Sequence, residues 1–410
     1  MTEGGRTRPG EVHRVRVWLR RNLFRSRADG LVTVVSGVVV GIVVFRAIRF
    51  VVVTGRWEVI EANLRLLMVG RFPDEHLPRV SISLAVAALV GGLVAGIIHR
   101  HQVEAGTSAV AHLSPARRLA DLVERFWPAL LGAALLLSLT STAGPWVTAA
   151  AALAAGVTGR IIGSRLPRVL HPVVIVVALV TPFALVAYLA DAEGWDEWGG
   201  LMLNVYLAIA SMILSFPLGV LAALGRRSTL PAVRWISTGY IELFRGAPLF
   251  VLLLMASVAL GFFVPPGQAP GRVVRAIVVF TVFTGAYMAE IVRGGLQSLP
   301  KGQAEAGRAL GLSPARVNLF IVLPQALRNV IPAQVGQLIS LFKDTTLAGF
   351  AMGLFELGNI SESVTSQGAF RGQQLLPEVV AFVALLFWIG SYTMARESQR
   401  LERRLGVGER

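Results

Sequence analysis

Four residues in one apolar run carry the chemistry that stands out first. Lys343, Asp344, Thr345 and Thr346 lie near the middle of the run 330–354. Ionisable side chains in so apolar a setting are costly, and they face a cavity or a partner. Neighbours in sequence do not face each other on a helix, so a mutual Lys343–Asp344 ion pair within one continuous helix is not expected. Asp344-Thr345-Thr346 also has the composition of an N-cap, which predicts a helix broken here, with a second half starting near Thr345. Broken helices at membrane depth line protein or a water-filled cavity and aim their dipoles at substrate. By that analogy Lys343 would face a substrate carboxylate and Asp344 an ammonium. The alternative is that both pair with neighbouring helices and hold the core together. Glu290 and Arg293, three residues apart at the end of the run 273–292, suit an ion pair that orients the polar segment after them rather than a substrate contact.

Other chemistries are missing. There is no GxxxxGK[ST] loop to cradle a nucleoside triphosphate and no HExxH pair for a metal. The six histidines, at 13, 76, 99, 101, 112 and 171, lie mostly in or beside loops, and no serine or histidine forms a nucleophile arrangement. Cysteine is absent, so there are no disulfides or thiolate metal ligands. The reading is a chain with no catalytic residue, no metal and no cofactor of its own.

The elements that must position these residues are membrane helices. Of 410 residues, 54% are hydrophobic and 15% charged, where a soluble domain carries about 25% charged residues. Mean hydropathy is +0.64. This excludes a cytosolic enzyme, a secreted disulfide scaffold and a disordered chain. A spanning helix needs about 20 mostly apolar residues. The runs 31–53, 80–98, 128–143, 145–159, 172–190, 199–224, 247–264, 273–292, 330–354 and 376–395 predict about ten spans in an all-α polytopic fold. The stretch 128–159, broken by Gly144-Pro145, reads as one long helix or as a hairpin. Loop charge favours the hairpin. It leaves the acidic loop 191–197 outside, and the basic segments 225–234 and 293–328 inside with both termini. The net charge of +15 then reflects basic cytoplasmic loops rather than nucleic-acid binding. Residues 1–30, with eight arginines against Glu3, Glu11 and Asp29, form a cytoplasmic tail ahead of a retained anchor. Residues 31–191 form an N-terminal membrane extension, residues 192–395 a second membrane region, and residues 396–410 a cytoplasmic tail. Within the external segment 54–79, Trp57, Ile60, Leu64, Leu67 and Met68 share a helical face. They lie at the outer interface or pack on the bundle.

The cytoplasmic segment 300–324 is too polar to span. Gln303 to Leu312 reads as a helix supported by Glu305 and Arg308, stopped by Gly311. Ser313-Pro314 opens a second short helix through Leu323, and Pro324 ends it. The pair presents a small-residue surface, with Ala306, Gly307 and Gly311 leaving room for a partner to approach.

In this segment Glu305-Ala306-Gly307 is followed by Gly311 after three residues, and by Ile321, Leu323 and Pro324 after nine more. It resembles the cytoplasmic EAA signature of ATP-binding-cassette importer permeases, departing only in Gly307 for Ala. Tyr240 to Leu249, Tyr287 to Gly295 and Phe342 to Leu347 are similar to the polar amino acid permeases of that family. Asn63 to Pro73 and the extra N-terminal spans resemble the M-type subunit of broad-specificity L-amino-acid importers. The resemblance implies a type I importer permease of the bacterial cytoplasmic (inner) membrane, with a five-helix core over 192–395. Polar amino acids would cross by alternating access. Glu305, Ala306, Gly307, Gly311, Ile321, Leu323 and Pro324 would couple to a separate ATPase dimer, which binds ATP and magnesium. A second, Q-type permease and an extracytoplasmic amino-acid-binding protein would complete the complex. The competing reading, a secondary transporter or channel without an ATPase, leaves the EAA spacing unexplained.

Overall fold

The computed structural model describes residues 18–19, 21–104, 145–190, 198–265 and 269–405. Among them all regular structure is helical, apart from two isolated bridges, Gly70 with Trp198 and Gly200 with Glu356. They form two compact units, one ending at Glu58 and one beginning at Val59.

The first unit is built on α1 (Arg27–Arg49). Ser26 Oγ accepts from the Asp29 N–H and the Asp29 carboxylate accepts from the Ser26 N–H, which satisfies two end donors of the helix. No residue of α1 is buried. Its surface is apolar nearly all round, as a lipid-facing span requires. The helix widens into a π turn at Phe50–Thr54, and Trp57 Nε1 donates back to the Val51 carbonyl at 3.0 Å.

The second unit contains α2 (Glu58–Val69) from its second residue on, then α3 (Leu77–Glu104), α4 (Pro145–Arg165), α5 (His171–Ala190), α6 (Gly200–Arg226), α7 (Pro231–Gly246) and α8 (Leu249–Val258). After these come α9 (Arg272–Ser298), α10 (Lys301–Ala309), α11 (Leu323–Asp344), α12 (Leu347–Met352), α13 (Leu357–Thr365) and α14 (Leu376–Leu405). Five helices in the whole described chain are long and apolar enough to cross a membrane: Arg27–Thr54, Pro78–His101, Gly200–Arg226, Arg272–Ser298 and Leu376–Arg403. The pair α7 and α8, bent by 100°, brings this to six if it is one span. The bend has a local cause, since Ala247 takes the extended backbone imposed by Pro248, which also lacks the N–H a continuing helix would use.

The expected ten spans are thus not all present as long apolar helices. The run 128–143 lies outside the described residues. The runs 145–159 and 172–190 fall on α4 and α5. The run 330–354 is divided between α11 and α12.

α3 and α4 pack backbone to backbone. A Cβ on Gly92 would lie 2.2 Å from the Gly156 carbonyl oxygen, and one on Gly163 would lie 2.2 Å from that of Leu93. Small residues four apart on both helices allow this approach. At the end of this pair, Glu104 accepts from Arg168 at 2.8 Å and from Arg100 at 2.9 Å. The hydrogen bond from Arg168, seconded by Arg100, holds its carboxyl down at about 2.

The segment 59–72 resolves the two readings of the amphipathic stretch. Ile60, Leu67 and Met68 are buried, together with Val59, Asn63 and Val69. The helix therefore packs within its own unit. Asn63 Oδ1 accepts from Gln367 Nε2 at 2.9 Å. Phe72 meets Trp198 edge-on at 6.2 Å, and the Arg71 guanidinium lies 4.2 Å over the Phe355 ring. Gly200 makes the approach possible. Its φ is +58°, and a Cβ there would fall 2.3 Å from the Leu67 carbonyl oxygen. Gly200→Ala is expected to destabilise the protein by more than about 2 kcal/mol, because left-handed strain of about 1–2 kcal/mol adds to a backbone overlap. Gly239→Ala, inside α7 where a Cβ meets nothing within 4 Å, is the control that should melt at or slightly above the parent in a detergent thermal-shift measurement, since Ala favours a helix interior by about 1 kcal/mol over Gly.

Candidate functional site

The segment between α9 and α11 is a helix, a tight turn and a wide turn, seated on the bundle by one side only. α10 stops at Gly311, whose φ is +78°. The Leu312 N–H reaches the Gly307 carbonyl at 3.2 Å and the Gly311 N–H reaches that of Arg308 at 2.9 Å. This is a Schellman closure, and it needs a residue at ease in the left-handed region. Ser313 caps the following turn through its Oγ and the Arg316 N–H at 3.4 Å. The expected second helix does not end at Pro324. Pro314–Val317 passes into a π turn at Asn318–Val322 and on into α11, with Pro324 in its first turn. There its missing N–H has no intrahelical partner to lose.

The seven motif residues divide between two sides. Gly307 is buried, and a Cβ on it would lie 2.8 Å from Ile321 Cδ1 and 3.0 Å from Val317 Cγ2. Gly307 therefore makes room for the chain's own Ile321, not for a partner, which corrects that expectation. Val317, Val322, Leu323 and Ala326 join Ile241 of α7 and Val292 of α9 in one apolar cluster. Glu305, Ala306, Gly311 and Pro324 are exposed, and beside them stand exposed Leu310, Leu319 and Phe320.

Beneath this platform lies the Glu290–Arg293 pair. Arg293 Nε donates to Glu290 at 3.0 Å, and a second, short bond links Nη2 to the other oxygen. The pair is the centre of a larger cluster. Arg226 of α6 lies 3.5 Å and Arg245 of α7 3.7 Å from Glu290, while Arg226 also reaches Glu242 at 3.0 Å. Three helices are held together where they meet the segment between α9 and α11.

The break near Thr345 is present, but its capping is the reverse of the expectation. α11 ends at Asp344 and α12 begins at Leu347. Thr345 Oγ1 donates back to the Phe342 carbonyl at 2.7 Å, and Thr346 Oγ1 to that of Lys343 at 2.9 Å. Both threonines keep helical backbone angles, whereas an N-cap requires an extended residue. They close the first helix instead of opening the second. Lys343 is exposed and Asp344 half-buried.

Thr345 leads to residues that sequence reasoning missed. Asn204 Nδ2 donates to Thr345 Oγ1 at 3.0 Å and to Glu356 Oε2 at 3.1 Å, and Asn204 Oδ1 accepts from the Leu357 N–H at 2.9 Å. Glu356, fully buried, also accepts from the N–H groups of Gly358 at 2.7 Å and Asn359 at 2.8 Å. Burial pushes its carboxyl up, while the N–H donors of Gly358, Asn204 and Asn359 pull it down. The available signals were a single amide in the apolar run 199–224 and a single acid flanked by Phe355 and Leu357. Ser211, Thr281, Thr284 and Gln334 are further buried polar groups on α6, α9 and α11 with an atom that makes no hydrogen bond among the described residues.

Glu356→Gln keeps the shape of the node but turns one acceptor into a donor facing backbone N–H groups. It is expected to cost about 2–3 kcal/mol, the scale of a hydrogen bond to a charged group together with an unmatched donor. Thermal unfolding of the purified protein measures this, and an unchanged midpoint would show that the node carries little.

Residues 215–407 match the family of binding-protein-dependent transport system inner membrane components. The chain is 44% identical over 211 residues to the glutamate/glutamine/aspartate/asparagine transport system permease protein BztC of Rhodobacter capsulatus, a match covering 51% of this chain and 48% of that one. It is 43% identical over 212 residues to the inner membrane amino-acid ABC transporter permease protein YhdY of Escherichia coli, covering 52% of this chain and 57% of that one. The match thus spans about half the length of these two relatives. With the probable glutamine ABC transporter permease protein GlnP of Bacillus subtilis it shares 35% identity over 50% of this chain and 92% of that one. A relative matched over nearly its whole length, together with the family match, shows that this chain belongs to the binding-protein-dependent transport system inner membrane components.

Proposed function

We propose that this chain is the transmembrane permease subunit of an ATP-binding-cassette importer that moves polar L-amino acids into the cytoplasm by alternating access. The observation that carries the reading is the two-sided coupling segment. One side is locked into α7, α9 and α11 through Gly307, Val317 and Ile321, and the other presents Glu305, Ala306, Leu310 and Phe320 to a partner. A force applied to the exposed side reaches the helices without first deforming the segment. The partner on that side is an ATPase dimer that holds ATP and magnesium. The amino-acid class is supported by the names of the relatives, which include glutamate, glutamine, aspartate and asparagine permeases.

The same reading sets the topology. Basic residues in 225–234 and 293–328 support a cytoplasmic location for the coupling segment 300–324 and both tails, in the bacterial inner membrane. Residues 31–191 form the extension and 192–395 the permease core. A soluble binding protein delivers substrate, and a second, Q-type permease completes the pathway. Lys343 and Asp344, with Thr345 and Thr346 behind them, are assigned to that pathway. The Glu290–Arg293 pair is assigned to holding the coupling segment in register.

Two substitutions test these assignments. A Cβ on Gly311 meets nothing of its own chain within 4 Å, so what a substitution adds there is left-handed backbone strain at φ +78° rather than an overlap. Gly311→Asp should insert and fold, yet lose uptake by about tenfold or more and lose ATPase association, the equivalent of at least about 1.4 kcal/mol of docking energy. Gly311→Asn tolerates the left-handed backbone and separates the effect of charge from that of the turn. Near-normal uptake by the Asp variant, with the ATPase still bound, would remove the coupling assignment. Asp344→Asn keeps size while removing charge. It should lower uptake and leave the complex assembled, and unchanged kinetics for every transported amino acid would rule out a substrate role for Asp344.

A further inference from the structure

The seam where α6, α9 and α11 meet carries polar groups that the packing of those helices does not use. Ser211 and Thr284 are 0% and 1% exposed, and Thr281 and Gln334 are each 9% exposed. Ser211 Oγ, Thr281 Oγ1, Thr284 Oγ1 and Gln334 Nε2 make no hydrogen bond among the described residues. A hydroxyl inside a helix can turn back to a carbonyl of its own helix. Thr181 does so to Val177 at 2.7 Å, and Thr393 to Ile389 at 2.8 Å. Ser211, Thr281 and Thr284 do not. Each of the four polar residues sits on the buried stripe of its helix. Ser211 lies between Asn204 and Gly219 on α6, Thr281 and Thr284 precede Met288 on α9, and Gln334 follows Val330 on α11. These stripes face one another. Asn204 bonds Thr345 at 3.0 Å, a Cβ on Gly219 would lie 2.5 Å from Met288 Cβ, and one on Gly295 would lie 2.5 Å from Val330 Cγ1. Ser215 stands as far from Gly219 as Thr284 does from Met288, and as far from Asn204 as Gln334 does from Thr345. Ser215, Thr284 and Gln334 are therefore level in the seam, with Ser211 and Thr281 one turn nearer Asn204.

We infer that this seam binds ordered water, which bridges Ser211, Thr281, Thr284 and Gln334 across the three helices. The chemistry of the four groups selects the occupant. The hydroxyls both donate and accept, and the unbonded amide nitrogen donates. No charged residue occurs in 200–225, 276–289 or 329–342, so an ion would find no countercharge on these stretches. A small neutral molecule that donates and accepts at once fits them, and a buried water makes about three such bonds. Water also lets α6 and α11 shift along α9 while each buried hydroxyl keeps a partner, which a direct bond of fixed geometry does not allow. The inference goes beyond the proposed function and holds whichever solute the protein transports.

The test is X-ray radiolytic footprinting of the full-length protein in bilayer nanodiscs, which oxidises side chains that touch water. Met288 on the seam and Met68 on α2 are both fully buried and have the same reactivity. Met288 should be oxidised well above Met68. Mixing with heavy-oxygen water just before the pulse separates a bound water, which keeps its own oxygen, from solvent that floods the seam. Thr284→Val keeps the shape of the side chain and removes its hydroxyl. Loss of one hydrogen bond to the water should lower Met288 oxidation about 2- to 10-fold, and Thr284→Ser should restore it. Thr284→Val should also lower the thermal midpoint, because it strips a partner from the water. In a dry seam the same change would remove an unmatched hydroxyl and raise the midpoint. Equal oxidation of Met288 and Met68, full incorporation of heavy oxygen at Met288, or a raised midpoint for Thr284→Val overturns the water site. A Met288 signal that changes when sodium is replaced by choline overturns water in favour of a bound cation.

Discussion

A carboxylate buried as fully as that of Glu356 has to be surrounded by donors, and the arrangement of the surrounding helices follows from where those donors come from. Two are the first N–H groups of α13, which make Glu356 the cap of its own helix. The third is the amide of Asn204, from the first turns of α6, which also binds the hydroxyl at the α11–α12 break. Four helices are thereby tied to one charge. The Phe355 carbonyl accepts from the Gly200 N–H at 2.9 Å, which brings α6 and the segment 59–72 to the same place. Gly349 lacks a side chain for the same reason, since a Cβ there would lie 2.2 Å from Glu356 Oε1. Removing one partner of such a buried charge is far more costly than the net worth of the cluster, which makes it a fixed reference for the helices around it.

The opposite end of the bundle is organised by α9. It packs on α6, on α7 and on α11. Glu290 near its end gathers Arg226 and Arg245 from two of those neighbours, with Arg293 from its own next turn. The segment 300–324 begins directly after this cluster and returns onto α9 through Val317 and Leu323. Its exposed face is therefore carried by a frame of apolar contacts and ion pairs, not by a mobile loop. The break at Thr345 lies on the same helix that leaves the segment, so α11 physically joins that exposed face to the buried Glu356 node.

Some of this was legible in the sequence. Composition and apolar runs of about 20 residues determine that the chain is a helical membrane protein, because hydrocarbon admits only segments that satisfy their own backbone. The caps at Gly311 and Ser313 were legible too, since left-handed turns and N-caps depend on a residue and its immediate neighbours. The helix stopped by Gly311 over 303–312 followed from nearby residues, and the Glu290–Arg293 pair followed from one helical turn. Each of these rests on interactions a few residues apart.

What the tertiary structure decided lies at long range. The sequence offered both an interfacial and a packed reading for 57–68, and only the meeting with Trp198, Gly200 and Gln367 chose the packed one. Gly307 read as space for a partner until Ile321 was found in it. Asp344-Thr345-Thr346 had the composition of an N-cap, but composition cannot show which way a hydroxyl donates, and buried Thr345 turns back to Phe342 while accepting from Asn204. Asn204 and Glu356 are 152 positions apart. Each alone reads as one polar residue beside an apolar stretch, and a hydrogen bond over that separation exists only once the helices between them have packed.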